Sequence, residues 1–227
     1  MLLHRFISLI TLSAIASAAG AETIAAIESR MDQAAPAFTS LSAKLKKSSY
    51  TKIIKDETTE TGTILIKRVK PGDTRVKLEF KGADERVAVF HDRKYEVYLP
   101  KLKIVQQYDL KQYGNLVDQF MLLGFGTSGK SLLQSYTMKV LKQEEIAAQQ
   151  TTRIELLPVS KEAKEHLTKI EMWIPEGKAY PLQQRLYFPS GNYDTVSYSD
   201  LKLNEPIAEK ALKLEVPKGV KTEYPQR

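Results

Sequence analysis

Residues 75–80, Arg-Val-Lys-Leu-Glu-Phe, alternate charge and hydrocarbon without a slip. Side chains of a strand point to opposite faces in turn, so Val76, Leu78 and Phe80 share one face and Arg75, Lys77 and Glu79 the other. This is the signature of a half-buried antiparallel strand. The neighbouring segments repeat it. "TGTILIKRVK" (61–70), "RVAVFH" (86–91), "KYEVYLP" (94–100) and "KIVQQYDL" (103–110) follow at short intervals, with "KPGDT", "KGADE" and "HDRK" as turns between them. After residue 135 the rhythm resumes in "YTMKVLKQ", "TTRIELLPVS", "TKIEMWIPEG", "PLQQRLYFPSG" and "YDTVSYSDLKLN". The reading is a mainly β, α+β chain: a curved antiparallel sheet of about 10–11 strands in meander order, with helices against one face.

Two segments break the period of two. In "ETIAAIESRMDQAAPAFTSLSAKL" (22–45) Ile24, Ile27 and Met31 recur at helical spacing. Pro36 interrupts before Phe38 and Leu41 continue, which predicts one amphipathic helix kinked at the proline. In the centre, "YGNLVDQFMLLGFGTSGKSLLQSY" (113–136) places Leu116, Phe120 and Leu123 at i, i+4 and i+7. A short helix, a glycine-rich loop and a second short helix around Lys130 to Gln134 follow from that spacing.

That loop, "GFGTSGKS" (124–131), fits the phosphate-cradling pattern G-x-x-x-x-G-K-[ST]. Its context does not. Meander strands flank it, whereas a phosphate loop lies between a parallel strand and its crossover helix. Gly124 and Gly126 read instead as a hinge between two apolar helices, and no nucleotide is expected.

The chain opens with basic His4 and Arg5, the apolar "FISLITLSAIASA" and small-residue cleavage sites after Ala18 or Ala21. These are the parts of a secretory signal peptide over 1–21, too short in its apolar stretch to span a bilayer. A single domain over 22–227 then has to hold itself together by its core, because the sequence contains no cysteine for a disulfide or for lipid attachment. The formal net charge of +7 comes from lysines and arginines scattered along the chain. A nucleic-acid footprint gathers them on one face, so nucleic acid is not an expected partner.

Residues for chemistry are scarce. His91 and His166 are the histidines beyond the leader, and with no cysteine they make a poor zinc site. The G-x-S-x-G elbow of a serine nucleophile is missing. No enzyme activity, metal or cofactor is expected, although a pair of carboxylates set for hydrolysis is a three-dimensional matter. Apolar side chains, by contrast, are in surplus. Ile64 and Ile66 oppose Leu65, and Ile170, Met172 and Ile174 oppose Trp173. Periodicity alone leaves two explanations level: an ordinary core covered on both faces, or a concave sheet around an apolar cavity.

The order of several pieces resembles the LolA-like outer-membrane lipoprotein carrier family of bacterial periplasmic proteins. They are a helix ending near "FTSL", then "GTILIKR", "RVKLEF", "VFHDRKYEVYLP", "DQFMLLGFG", "MWIP", "SYSDLKLN" and "LEVPKGVK". The resemblance implies an incomplete antiparallel β-barrel closed by the N-terminal helix and a central helical lid over about residues 115–135. It implies a soluble, monomeric, non-enzymatic periplasmic carrier of lipoprotein or lipid acyl chains. An inner-membrane exporter and an outer-membrane acceptor would be its partners. The cavity would be lined by Ile64, Ile66, Val76, Leu78, Phe80, Val89, Val97, Ile170 and Met172, and the lid would present Leu116, Phe120, Leu123 and Leu132. Arg68, at the end of the Gly-led strand, would latch the lid, with Gly124 and Gly126 as its hinge. Two departures stand out: Pro71 follows three residues after Arg68 instead of directly, and "HDRK" (91–94) lacks the family's turn glycine. The same half-barrel would also suit a sensor or protein-binding module, and a secreted hydrolase is a third reading.

Overall fold

Thr23 is extended, and its side chain accepts a hydrogen bond from the Ala26 amide, capping helix α1 (Ile24–Ala34). Ile27 and Met31 are four residues apart and are the buried face of that helix. Pro36 ends it, since a proline ring has no N–H to continue the ladder. The chain tightens into a 3-10 turn, Ala35–Ala37, and leaves it extended at Phe38. Leu41 therefore does not continue the helix as its spacing suggested. It lies in strand β1 (Ser40–Thr51), where Leu41, Ala43 and Leu45 alternate inward.

A computed structural model describes residues 22–70, 72–111 and 123–225. After β1 come β2 (Asp56–Lys70), β3 (Asp73–Lys81), β4 (Arg86–His91), β5 (Lys94–Leu99) and β6 (Ile104–Asp109). Helix α2 (Gly129–Ser135) leads into β7 (Tyr136–Ile146) and β8 (Gln149–Pro158). Helix α3 (Lys161–His166) then precedes β9 (Lys169–Pro175), β10 (Gln183–Tyr187) and β11 (Tyr193–Leu203). A 3-10 turn (Glu209–Leu212) and the short β12 (Lys221–Glu223) close the order.

Among the described residues, twelve strands form one sheet in the order β12-β6-β5-β4-β3-β2-β1-β11-β10-β9-β8-β7. The expected single meander of ten or eleven strands is thus two meanders, β1–β6 and β7–β11, joined through the antiparallel β1–β11 pair. The central insertion separates β6 from β7 in space as well as in sequence, leaving them towards opposite edges. Strand β12 pairs parallel to β6 over three residues, too few to show a period in the sequence. The sheet is an open, incomplete antiparallel barrel with helices over one face.

Register shows which residues share that face. Ala43, Ile64, Leu78, Ala88 and Val97 stand opposite one another across five strands, as do Leu41, Ile66, Val76, Phe90 and Tyr95. On the other arm the same face carries Gln184, Met172, Ile154 and Val140. Two apolar clusters fill it. One gathers Ile27 and Met31 of α1 and Leu132 of α2 over Ile154, Leu156, Ile170 and Met172. The other gathers Phe38 and Phe125 over Leu41, Ile64, Ile66, Val76 and Phe90.

Val89 is a correction to the expected cavity. It pairs with Lys77 and Glu96, so it points away from Val76, Leu78 and Phe80. "RVAVFH" carries hydrocarbon on both faces, and pairing with β3 turns Ala88 and Phe90 inward instead. The outer face of β2 and β3 is crossed by the chain after β11. Lys67 Nζ donates to the Ile207 carbonyl at 2.9 Å and meets Glu209 at 2.6 Å, while Arg75 meets Glu209 at 2.5 Å.

Candidate functional site: an apolar face under a cover held by Arg68

The strand that carries Ile64 and Ile66 inward carries Arg68 two residues before its end at Lys70, and the Arg68 guanidinium comes up against the helical cover. Nη1 donates to the carbonyls of Ala35 at 2.8 Å and Phe38 at 3.2 Å, and Nη2 to that of Gly126 at 2.7 Å. The guanidinium carbon stands 5.2 Å from the centre of the Phe38 ring. Ala35 and Phe38 bound the 3-10 turn that ends the N-terminal helical segment, and the Ala35 carbonyl accepts both the Phe38 amide at 3.3 Å and the guanidinium. Gly126 belongs to the central loop. One cation therefore ties two separate pieces of cover to the rim of the sheet. Burial lowers the Arg68 pKa, yet a guanidinium keeps its charge throughout the working pH range.

The central loop is built for close approach. Gly124 and Gly126 have φ of +79° and +69°, which L side chains rarely adopt. A Cβ on Gly126 would overlap the Phe38 ring and stand 2.8 Å from Arg68 Nη2. Leu123, just before Gly124, enters the first cluster, and Phe125, between the two glycines, enters the second. A buried polar chain fixes this placement. Tyr198 donates to Gln184 Oε1 at 2.7 Å, and Gln184 Nε2 donates to the Leu123 carbonyl at 2.6 Å. The Phe125 ring meets Tyr198 edge-to-face with centroids 5.0 Å apart. Burial raises the Tyr198 phenol well above its ordinary value, so it stays protonated and donating.

The rest of "GFGTSGKS" serves packing. Ser128 caps α2 by accepting from the Ser131 amide, and the Lys130 amide donates to Asp32 Oδ1 at 3.1 Å. Two amides that a phosphate would need are thus taken, one of them by a carboxylate. A Cβ on Gly129 would stand 2.6 Å from Glu28 Cα, so this glycine lets α2 approach α1.

Beneath the cover, Met31, Ala34, Phe38, Phe125, Tyr180 and Leu203 border a cavity of about 70 Å³. That holds roughly two water molecules by their share of liquid volume. At the opposite end of the same face the lining turns polar. Arg86 makes a bidentate pair with Glu60, both contacts 2.7 Å, and lies 4.0 Å over the Phe80 ring. Lys47 stands 3.6 Å from Glu60 and 3.2 Å from Asp194. Hydrogen bonds from Arg86 hold the Glu60 carboxyl below its ordinary value.

Of the residues expected in the cavity, Ile64, Ile66, Val76 and Phe80 are buried in the second cluster and Leu78 is half-buried against it. Val97 is buried on the same face, and Ile170 and Met172 lie in the first cluster. Leu123 and Leu132 lie in the first cluster as well. Leu116 and Phe120 fall outside the described residues. Gln184 and Tyr198 were not anticipated, because polar residues in a strand read as solvent-facing. His91 is on the outer face, with Nε2 3.0 Å from Glu96 and Nδ1 3.1 Å from Asp92. Among the described residues no group of three or more histidines and carboxylates is placed to hold a metal, and no helix is long and apolar enough to cross a membrane.

No protein-family model matches the sequence, and no curated protein does. Solved structures do match. An uncharacterized conserved protein from Thermus thermophilus aligns with 87% of this chain and 96% of its own at 12% identity, with a TM-score of 0.53. MucB aligns with 85% of this chain at 15% identity and a TM-score of 0.51, and the match spans 62% of MucB's own length. The LolA superfamily protein NE2245 from Nitrosomonas europaea aligns with 86% of this chain and 99% of its own at 15% identity and a TM-score of 0.41. Identities this low speak to fold. The open antiparallel half-barrel, with a capped N-terminal helix and a glycine-rich central loop over its apolar face, is the fold this chain shares with the Thermus thermophilus protein and with the matched part of MucB.

Proposed function

We propose that this protein is a periplasmic carrier that binds lipoprotein acyl chains or other lipids on the apolar face of its half-barrel and ferries them toward the outer membrane, without chemistry of its own. The observation that carries the reading is the Arg68 clasp over a continuous apolar face. A core needs burial, but it does not need its cover held by a single cation reaching two separate segments. The leader over 1–21, cleaved after Ala18 or Ala21, would supply export, and residues 115–135 would supply the lid, with Leu116 and Phe120 as further apolar contacts. Gly124 and Gly126 are its hinge, and Arg68 its latch. An inner-membrane exporter would load the carrier and an outer-membrane acceptor would empty it.

The energetics suit transient carriage. Moving an acyl chain from water into an apolar site gains about 0.8 kcal/mol per methylene. Part of that gain is spent in displacing the cover, which keeps affinity low enough for release. Native purification followed by mass spectrometry of extracted lipid tests the reading. Stoichiometric acyl lipid is expected. A lipid-free protein that a saturating phospholipid or acylated peptide leaves unaltered would sink it and favour a protein-binding module on the same scaffold.

A further inference from the structure

Towards β3 the β1–β2 hairpin does not stop where its neighbour does, while on its other side β1 stays paired with β11 up to Tyr50 opposite Tyr193. Pairing of β2 with β3 begins at Thr61 opposite Lys81, so Asp56 to Glu60 run on without β3. At about 3.4 Å per residue this carries the hairpin about 17 Å past the end of β3. Its turn, residues 52–55, reads Lys-Ile-Ile-Lys. Ile53 is 89% exposed and Ile54 67%. Single exposed aliphatics are ordinary, but two adjacent ones at the tip of a projecting hairpin, bracketed by lysines, expose hydrocarbon to no evident structural benefit.

The surroundings of the tip point the same way. Directly below it on the outer face, Tyr50 stacks on Tyr193 with centroids 4.8 Å apart, and Tyr187 adds a third ring 5.6 Å from Tyr193. Arg185 lies 4.9 Å over the Tyr193 ring. The tip is braced, because the Lys52 amide donates to Asn192 Oδ1 at 3.0 Å. Asp56 and Glu57 follow, paired across the hairpin with Thr51 and Tyr50, so the four turn residues themselves carry only positive charge. The β5–β6 turn at the same end of the sheet repeats the motif as Lys101-Leu102-Lys103, with Leu102 65% exposed. An apolar point, flanking cations and a tyrosine collar are the three elements of an interfacial anchor. Hydrocarbon enters the acyl boundary, lysines meet anionic headgroups, and amphipathic rings sit at headgroup level.

We infer that the Lys52–Lys55 hairpin tip is a membrane-docking point that inserts Ile53 and Ile54 into the surface of an anionic bilayer. It adds a place of action to the carriage reading and does not depend on it. The occupant is a lipid surface, since the lysines are complementary to anionic headgroups and two isoleucines on a narrow tip offer a protein partner little area.

The test is partition of the processed chain onto vesicles of phosphatidylcholine and phosphatidylglycerol in equal parts, read by sedimentation. Binding is expected, weakened by salt and by pure phosphatidylcholine. Ile53→Ser with Ile54→Ser should lower partition by roughly tenfold or more, and Lys52→Gln with Lys55→Gln by about fivefold per lysine. Displacement of a hydrophobic probe from the interior should be unchanged in both variants, which separates docking from carriage. As a second readout, Ile54→Trp reports insertion directly, because the native Trp173 is 3% exposed and insensitive to the surface. A blue shift in the emission of the introduced indole with anionic vesicles supports the inference. Equal partition of wild type and variants, or an Ile54→Trp emission that vesicles do not move, overturns it. So does concentration-dependent self-association that the isoleucine substitutions abolish, which would make a second copy the occupant.

Discussion

Arg68 works through neutral acceptors, the carbonyls of Ala35, Phe38 and Gly126, so titrating carboxylates leaves its hydrogen bonds intact. Arg68→Leu should cost about 1.5–3 kcal/mol in chemical denaturation, the range for bonds to a charged group, and should speed probe exchange. Gly126→Val should cost as much or more, because it adds a clash with Phe38 to a left-handed backbone. Lys130→Ala should leave stability and exchange unchanged, since it is the Lys130 amide that makes the contact. His91 carries the clearest pH prediction. Burial opposes its charge, but hydrogen bonds to Glu96 and Asp92 outweigh burial and raise its pKa above 6.5. A group raised on folding stabilises most when protonated in both states. Its contribution is therefore full below about 6.5 and is lost as pH rises through the folded-state value. His91→Gln should flatten the change in denaturation midpoint between about pH 5.5 and 8, and an unchanged slope would remove this assignment. Arg68 was singled out through the family resemblance alone, and its three carbonyl contacts are visible only in the structure. Gln184 and Tyr198 were not singled out, because inward polar residues become intelligible only once the loop carbonyl they satisfy is in view.

Among the elements, α1 bears the most weight per residue. Ile27 is fully buried where α1 packs over the β8–β9 arm, and Ile27→Ala should cost about 2–5 kcal/mol as a large-to-small change in a packed core. If α1 is part of the cover, the same substitution raises probe exchange at low denaturant, whereas an outer-face change of similar size does not. Local periodicity found β2 to β11 because each has five or more residues over which a period of two can show. It missed β12, with three residues, and it ran α1 past Pro36 because Phe38 and Leu41 keep a helical spacing by coincidence. Helix α3 lies in polar "KEAKEH", capped by Ser160 and burying Ala163, which leaves almost no apolar stripe to read. The β1–β11 join is of a different kind. It pairs residues about 150 positions apart, and nothing local encodes such a contact.

At the scale of the whole molecule, two meanders meeting at β1–β11 make one apolar face with a clasp at one end and an ion-paired rim at the other. Sequence periodicity could not choose between a filled core and a cavity, since both demand the same inward hydrocarbon. The structure has the face covered, with about 70 Å³ of space beside the clasp. On the proposed carrier reading, binding an acyl chain is coupled to movement of the cover, and loosening Arg68 should raise both association and release rates rather than affinity alone. The most direct test of carriage is equilibrium displacement of a hydrophobic fluorescent probe by an acylated peptide and by the same peptide without its acyl chain. The account predicts saturable displacement by the acylated peptide and none by the other. Equal displacement by both, or by neither at saturation, would contradict it.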